Sequence, residues 1–342
     1  MEVSKQNEFL QNSPQLRAIP RIEIRNPSYH GVMQGKAGKM TDKKIDTADR
    51  YSIGLSGERF PPTGEDGTED PFPWPAERIE EYTAYRIDSP IAIDGHLDEP
   101  VWQTVPRSPR FSDMISGARG LHDTRAAVLW DRDYLYVGYW IEEPDLQADL
   151  TERDSFIFRN NDVEFFLAGR DGYYEFEINA LGTIYEVFFV WDAEYEKCDY
   201  AREPTLHKSH PQAKPFNGVG LKTHPRGMRT GFWGYDFPGL QWAVQLDGTL
   251  NDSSDRDRGW TVELALPWKG MEWLIAPDER SVPPQEGDIW RMDFSRFNQY
   301  REAPPAEDSG AWFWSPHGCR DSHIPECYPI IHFTEELLPG SR

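Results

Sequence analysis

Two runs constrain this chain more than anything else in it: AAVLWDRDYLYVGYW at 126–140 and YYEFEINALGTIYEVFFVW at 173–191. Each is a pair of apolar segments of strand length around a short polar turn, Asp131-Arg132-Asp133 in the first and Asn179–Gly182 in the second. Side chains of an extended chain alternate between two faces, so such segments bury one face each and join as hairpins. The pattern recurs to the C-terminus, which predicts an all-β chain, an antiparallel β-sandwich with long rim loops. Strands are expected over Ala84–Arg86, Arg125–Trp130, Tyr134–Ile141, Asp162–Ala168, Tyr173–Asn179 and Ile184–Trp191. Others are expected over Leu240–Gln245, Gly259–Leu266, Ile289–Arg296, Ala311–Trp314 and Ile330–Phe333. In Gly259–Leu266 the inward set is Trp260, Val262, Leu264 and Leu266. Short helices fit near Leu97–Gln103 and Trp268–Trp273. The Pro- and Gly-loaded stretches Asp192–Phe237 and Trp268–Glu286 read as rim loops.

Residues 1–80 read differently. A basic patch at Lys36–Lys44 and the run SGERFPPTGEDGTEDPFPWPAE bury little, so this part is expected to be an irregular arm or linker, with the sandwich over 81–342. Ile19, Ile22, Ile24 and Trp74 are the arm residues able to dock on it. The formal charge of −22, from 58 acidic and 36 basic residues, repels phosphate backbones and argues against nucleic acid as a partner. No run is apolar enough over a sufficient length to span a membrane. The start, MEVSKQNEFLQNSPQLRAIP, lacks the apolar core of a secretory signal, so the chain as given is cytoplasmic, already processed, or begins elsewhere. Three cysteines make no disulfide framework: Cys319 and Cys327 could pair and leave Cys198 free, or all three could be thiols.

With 13 Trp, 15 Tyr and 18 Phe, the chain holds more rings than packing usually asks for, and flat rings suit the apolar faces of sugars. Trp312 and Trp314 alternate, so both project to one face of a strand, either as a platform or as core. Alternation also places Glu175, Glu177 and Asn179 on one face, opposite Tyr174, Phe176 and Ile178. A face with two acids and an amide must be wet or must bind something, since unpaired buried carboxylates are costly. Arg153, Arg159 and Arg296 could pair with these acids and with Glu186. The loop DGTLNDSSDRD offers Asp247, Asp252 and Asp255 as oxygen ligands for calcium, although it lacks the EF-hand spacing. His323 and Glu326, close in sequence to His317, Trp312 and Trp314, form the one polar–aromatic constellation. No nucleotide-binding loop or haem-attachment motif is present, so neither cofactor is expected.

The segment IAIDGHLDEPVW at Ile91–Trp102, followed by LWDRDYLYVGYWIEEPD, NNDVEFFLAGRDGYYEFEINALG and WSPHG…HIPE, resembles the family 9 carbohydrate-binding modules of the DOMON-like β-sandwich group. The resemblance covers roughly 82–335. It implies a jelly-roll-related sandwich that binds a poly- or oligosaccharide, with calcium on loops and an extracellular or periplasmic place of action. In that family two tryptophans sandwich a terminal sugar. Where the first would stand this chain has Phe156 and Phe158, and the basic residue usually two places before the strand's Asn is Glu177. The expected carbohydrate-binding set is Trp312, Trp314, Phe158, Glu175, Glu177, Asn179, Arg296, His323 and Glu326. The segment Ile91–Trp102 itself reads as architecture. Other readings stay open: a glycan-active hydrolase or lyase using Glu175 or Glu177 with His323, a haem protein using Met292 and His323, or an interaction domain without a ligand.

Overall fold

A computed structural model of the chain describes residues 71–278, 280–299 and 308–339. The expected arm, including Ile19, Ile22, Ile24 and Lys36–Lys44, lies largely outside the described residues. Its last part is described: Phe72, Trp74 and Ile79 are buried together with Ile324 and Cys327.

The strands are β1 (Glu81–Arg86), β2 (Ser112–Asp113), β3 (Thr124–Trp130), β4 (Tyr134–Glu142), β5 (Asp162–Ala168), β6 (Gly172–Asn179) and β7 (Ile184–Trp191). They continue as β8 (Ala213–Phe216), β9 (Arg229–Phe232), β10 (Gln241–Asp247), β11 (Gly259–Pro267), β12 (Ile289–Phe297), β13 (Ala311–Phe313) and β14 (Ile330–Leu337). One hydrogen-bonded path runs β10-β11-β4-β3-β1-β14-β12-β5-β6-β7-β9-β8, and β13 joins β12 to β2. The path folds over so that its two halves face each other. Val137 and Tyr139 of β4, Phe165 and Leu167 of β5, Tyr174 and Phe176 of β6, and Trp260 to Leu266 at alternate positions of β11 share one core. The Tyr139 hydroxyl crosses between the halves and donates to the Glu164 carbonyl at 2.7 Å. This is the expected β-sandwich.

Pairing is antiparallel throughout except at β1, which runs parallel to both β14 and β3. The expected strands all form. Three more do as well: β2, and β8 and β9 within the stretch 192–237 expected as loop. A short helix at Pro100–Thr104 and turns at Trp268–Met271 and Glu272–Ile275 stand where helices were expected. Cys198, Cys319 and Cys327 form no disulfide among the described residues. Among the described residues no helix is long and apolar enough to cross a membrane.

Candidate functional site

The sandwich has two outer faces, and they differ. On the β5-β6-β7 face the register sets Glu164 opposite Glu177, Phe166 opposite Glu175 and Asp162 opposite Asn179. The alternation holds, because Tyr174, Phe176 and Ile178 face the core. The acid side is not solvated, however. Glu175 and Glu177 are 3% and 2% exposed, Asp162 is fully buried and Glu164 nearly so. The loops around Phe216–Arg229 and Ser315–Tyr328 cover them. The Asp321 carboxylate accepts the backbone N–H groups of Val219, Gly220 and Leu221, and Arg229 donates to the His323 carbonyl.

Each expected residue on this face has a local task. Asn179 closes the β6–β7 hairpin, accepting from the Leu181 and Thr183 amides and donating to the Leu150 carbonyl and to Asn160. Glu177 accepts the Phe158 amide at 2.8 Å, and the half-buried Phe158 ring rests on Phe156. His323 Nε2 lies 3.6 Å from Glu175 Oε1, and its Nδ1 lies 3.1 Å from the Tyr173 hydroxyl. Burial drives His323 down to about 3, so the ring is neutral near pH 7, and pushes Glu175 and Glu177 well above the usual carboxylate range. An acid and a base therefore do meet, but behind a closed surface. Arg153 pairs with Glu186, as expected.

Trp312 and Trp314 are in the core instead of at a rim. They are 0% and 2% exposed. Trp312 is packed on Gly120 and lies 4.8 Å from the Arg296 guanidinium, while Trp314 meets Tyr82 and Phe294. Both rings lie among the side chains of the sandwich core and fill it. Arg296 does not reach the acid face: its guanidinium is committed to Glu143, Thr124 and the Glu142 carbonyl. Glu326 is likewise occupied. The Arg226 amide donates to His224 Nδ1, so His224 Nε2 carries the hydrogen and donates to Glu326 at 3.0 Å. His317 is fully buried, with Nδ1 on the Asp321 carbonyl.

Asp247, Asp252 and Asp255 are exposed and do not converge. Among the described residues the one group of three potential ligands within 4.8 Å of one another is Asp162, Glu164 and Glu177. Asp247 pairs with Arg258, and Asp252 caps the Ser254 amide. The loop's buried acid is Asp257, which holds the Leu146 and Thr249 amides. Met292 packs in the sandwich core, whereas His323 packs against Phe166 on the other side of the same sheet. The two do not approach a common centre.

The other outer face, on β10-β11-β4-β3, carries an open groove of about 650 Å³. Register builds its floor as a row across four strands: Gln245, Thr261, Trp140 and Arg125. The next row holds Asp247, Gly259 and Glu142. His96, Leu97 and Asp98 form one wall. Trp140 is half-buried, with the Arg107 guanidinium 3.8 Å over its ring and Trp102 edge-on at 6.0 Å. Gly259 is needed for the β11–β4 approach, since a Cβ there would lie 1.9 Å from the Ile141 carbonyl oxygen. Trp140 is absent from the set expected from sequence. The signal was present, because Leu135, Val137, Tyr139 and Ile141 set the inward phase of β4 and Trp140 falls out of it.

No family model matches the chain, and no curated protein matches it. Solved structures are similar to it. One is a candidate carbohydrate-binding protein from Bacteroides uniformis, at 13% identity and a TM-score of 0.48, covering 75% of this chain and 99% of that one. Another is a family 9 carbohydrate-binding module from Caldicellulosiruptor kristjanssonii in complex with cellotriose, at 15% identity and TM-score 0.41, covering 74% and 93%. A family 9 module from the same organism in complex with glucose gives 14% and 0.39, covering 74% and 95%. With so few residues shared, what this chain binds is read from its own side chains.

Proposed function

We propose that the chain binds carbohydrate, and that it does so in the groove over β10-β11-β4-β3. The observation that carries this reading is the cross-strand row Gln245, Thr261, Trp140 and Arg125, an amide, a hydroxyl and a guanidinium around an indole. A pyranose presents C–H groups on its faces and hydroxyls at its edge. It therefore asks for a ring beneath and for donors and acceptors beside it. Asp98, Asp123 and Glu142 supply acceptors and His96 adds a ring nitrogen, all along the same groove. The resemblance of IDGHLDEPVW and its neighbours to family 9 modules points the same way, although the groove does not use the tryptophans expected from it.

The test is affinity electrophoresis of the full chain through gels holding a panel of soluble polysaccharides, with calorimetry on oligosaccharides of any that retard it. Trp140→Ala should weaken binding by about tenfold or more, the scale of one lost aromatic contact. Phe158→Ala, on the opposite outer face, should leave binding unchanged. If no saccharide binds, or if Trp140→Ala binds as well as the parent, the reading fails.

A further inference from the structure

The buried acid face has a different use. We propose that Asp162, Glu164 and Glu177 bind a hard divalent cation, with calcium the best match. This does not rest on the carbohydrate reading, which concerns the other face of the sandwich.

The argument starts from the backbone. Asp162 and Glu164 are two apart on β5 and so share a face, and Glu177 stands directly across from Glu164 on β6. Three strands hold these positions, because Ser295 and Phe297 of β12 lie opposite Glu164 and Asp162 on the far side. One carboxylate oxygen from each of the three falls within 4.8 Å of the others. Oxygens around calcium lie at ~2.4 Å, so no two can be more than about 5 Å apart, and the cluster fits on that sphere.

A second observation concerns what each acid has left over. Asp162 takes the Phe297 amide on Oδ1, Glu164 takes the Ser295 hydroxyl on Oε2, and Glu177 takes the Phe158 amide on Oε2. Each carboxylate is thus oriented by one donor and keeps its other oxygen. Asp162 Oδ2 is the clearest case: it is buried, in a fully buried residue, and has no hydrogen-bond partner. A buried acceptor without a partner is expensive, and three carboxylates around it cannot satisfy one another. No Lys or Arg forms an ion pair with any of the three among the described residues; Arg296, whose charge reaches Asp162, is committed to Glu143, and Arg320, whose charge reaches Glu164, donates to the Ser309 carbonyl. A divalent ion offsets that cost where protons would otherwise have to. All-oxygen, carboxylate-rich ligation is the set that calcium and magnesium prefer over softer metals.

The experiment uses the full chain, stripped with EDTA and titrated with calcium chloride, read by calorimetry and by thermal unfolding. One saturable site at roughly one ion per chain and a rise in Tm are expected. Magnesium, which dehydrates reluctantly and wants an octahedron, should bind more weakly. Glu177→Gln and Asp162→Asn should each lose the calcium response. The double change Asp252→Asn and Asp255→Asn should keep the response. The proposal is overturned if millimolar calcium gives neither heat nor a Tm shift. It is equally overturned if the response survives in Glu177→Gln and Asp162→Asn, or disappears in the Asp252/Asp255 variant.

Discussion

Glu263 explains why the segment Ile91–Trp102 looks as it does. Its Oε2 accepts the Asp94 and Gly95 amides at 3.0 and 2.7 Å, and its Oε1 accepts the Trp102 indole N–H at 2.8 Å. Gly95 sits at φ +85°, and a Cβ there would lie 2.6 Å from the Val244 carbonyl carbon. Aspartate, glycine and tryptophan in this motif are therefore fittings for one buried carboxylate. Burial pushes Glu263 up to about 7 while its three donors pull it down. Glu263→Gln keeps the shape but turns an NH2 toward an N–H donor. It should cost about 1–3 kcal/mol in urea unfolding with an unchanged m-value, and parental stability would contradict this role. The architectural reading of Asp94, Gly95 and Trp102 was legible in the sequence. Their partner, 168 residues downstream of Gly95, was not, since local pattern carries no information about which distant acid a turn will meet. Glu326 gives a pH prediction at the same scale. Its pairing with His224 and the nearby Arg226 charge hold its carboxyl down to about 2 against its burial. The stabilisation is whole above the unfolded carboxyl's pKa of about 4.3 and is lost as pH falls through about 2, a span of up to about 3 kcal/mol. Glu326→Gln should flatten that acid limb of the stability curve. An unchanged limb would mean that the carboxylate is not held as described.

At the scale of elements, alternation located the eleven expected strands because each hides apolar residues on at least one face. It failed where a strand hides little. The edge strand β8, Ala213–Phe216, contains Pro215, which an edge tolerates because its missing N–H faces away from the ladder. In β9 the glycine at 231 is required, since a Cβ would meet the Trp233 ring at 2.4 Å. Both read as turn residues in isolation. Periodicity also shows which side chains share a face without showing which face is covered. Trp312 and Trp314 were placed together, as they are, but only the packing of Gly120 on the first and of Tyr82 and Phe294 on the second makes them core. On β11 the prediction concerns Gly259, at φ +147° with the Ile141 carbonyl against it. Gly259→Ala should break the start of the β11–β4 pairing, at about 1–3 kcal/mol by thermal or chemical unfolding. Stability equal to the parent's would show that the pairing does not need that glycine.

The described residues form a sandwich with one closed outer face and one open one. The loops around Phe216–Arg229 and Ser315–Tyr328 seal the acids of β5 and β6. The segment Ile91–Thr104 covers only part of the opposite sheet, which leaves the groove beside Trp140. From sequence, sugar was expected around Trp312, Glu175 and Glu177, and calcium on the loop with Asp247, Asp252 and Asp255. Cation binding is proposed for the sealed face and carbohydrate binding for the open one. Fold class was legible because strand periodicity is local, and the choice of face was not, because loop coverage is set only in three dimensions. The most direct measurement is a crystal structure of the full chain with an oligosaccharide selected by the electrophoresis panel. The account predicts a sugar ring seated at Trp140, with hydroxyls reaching Gln245, Arg125 or the acids of the groove. Sugar density on the Phe158 and Glu177 side of the sandwich, with the Trp140 groove empty, would contradict it.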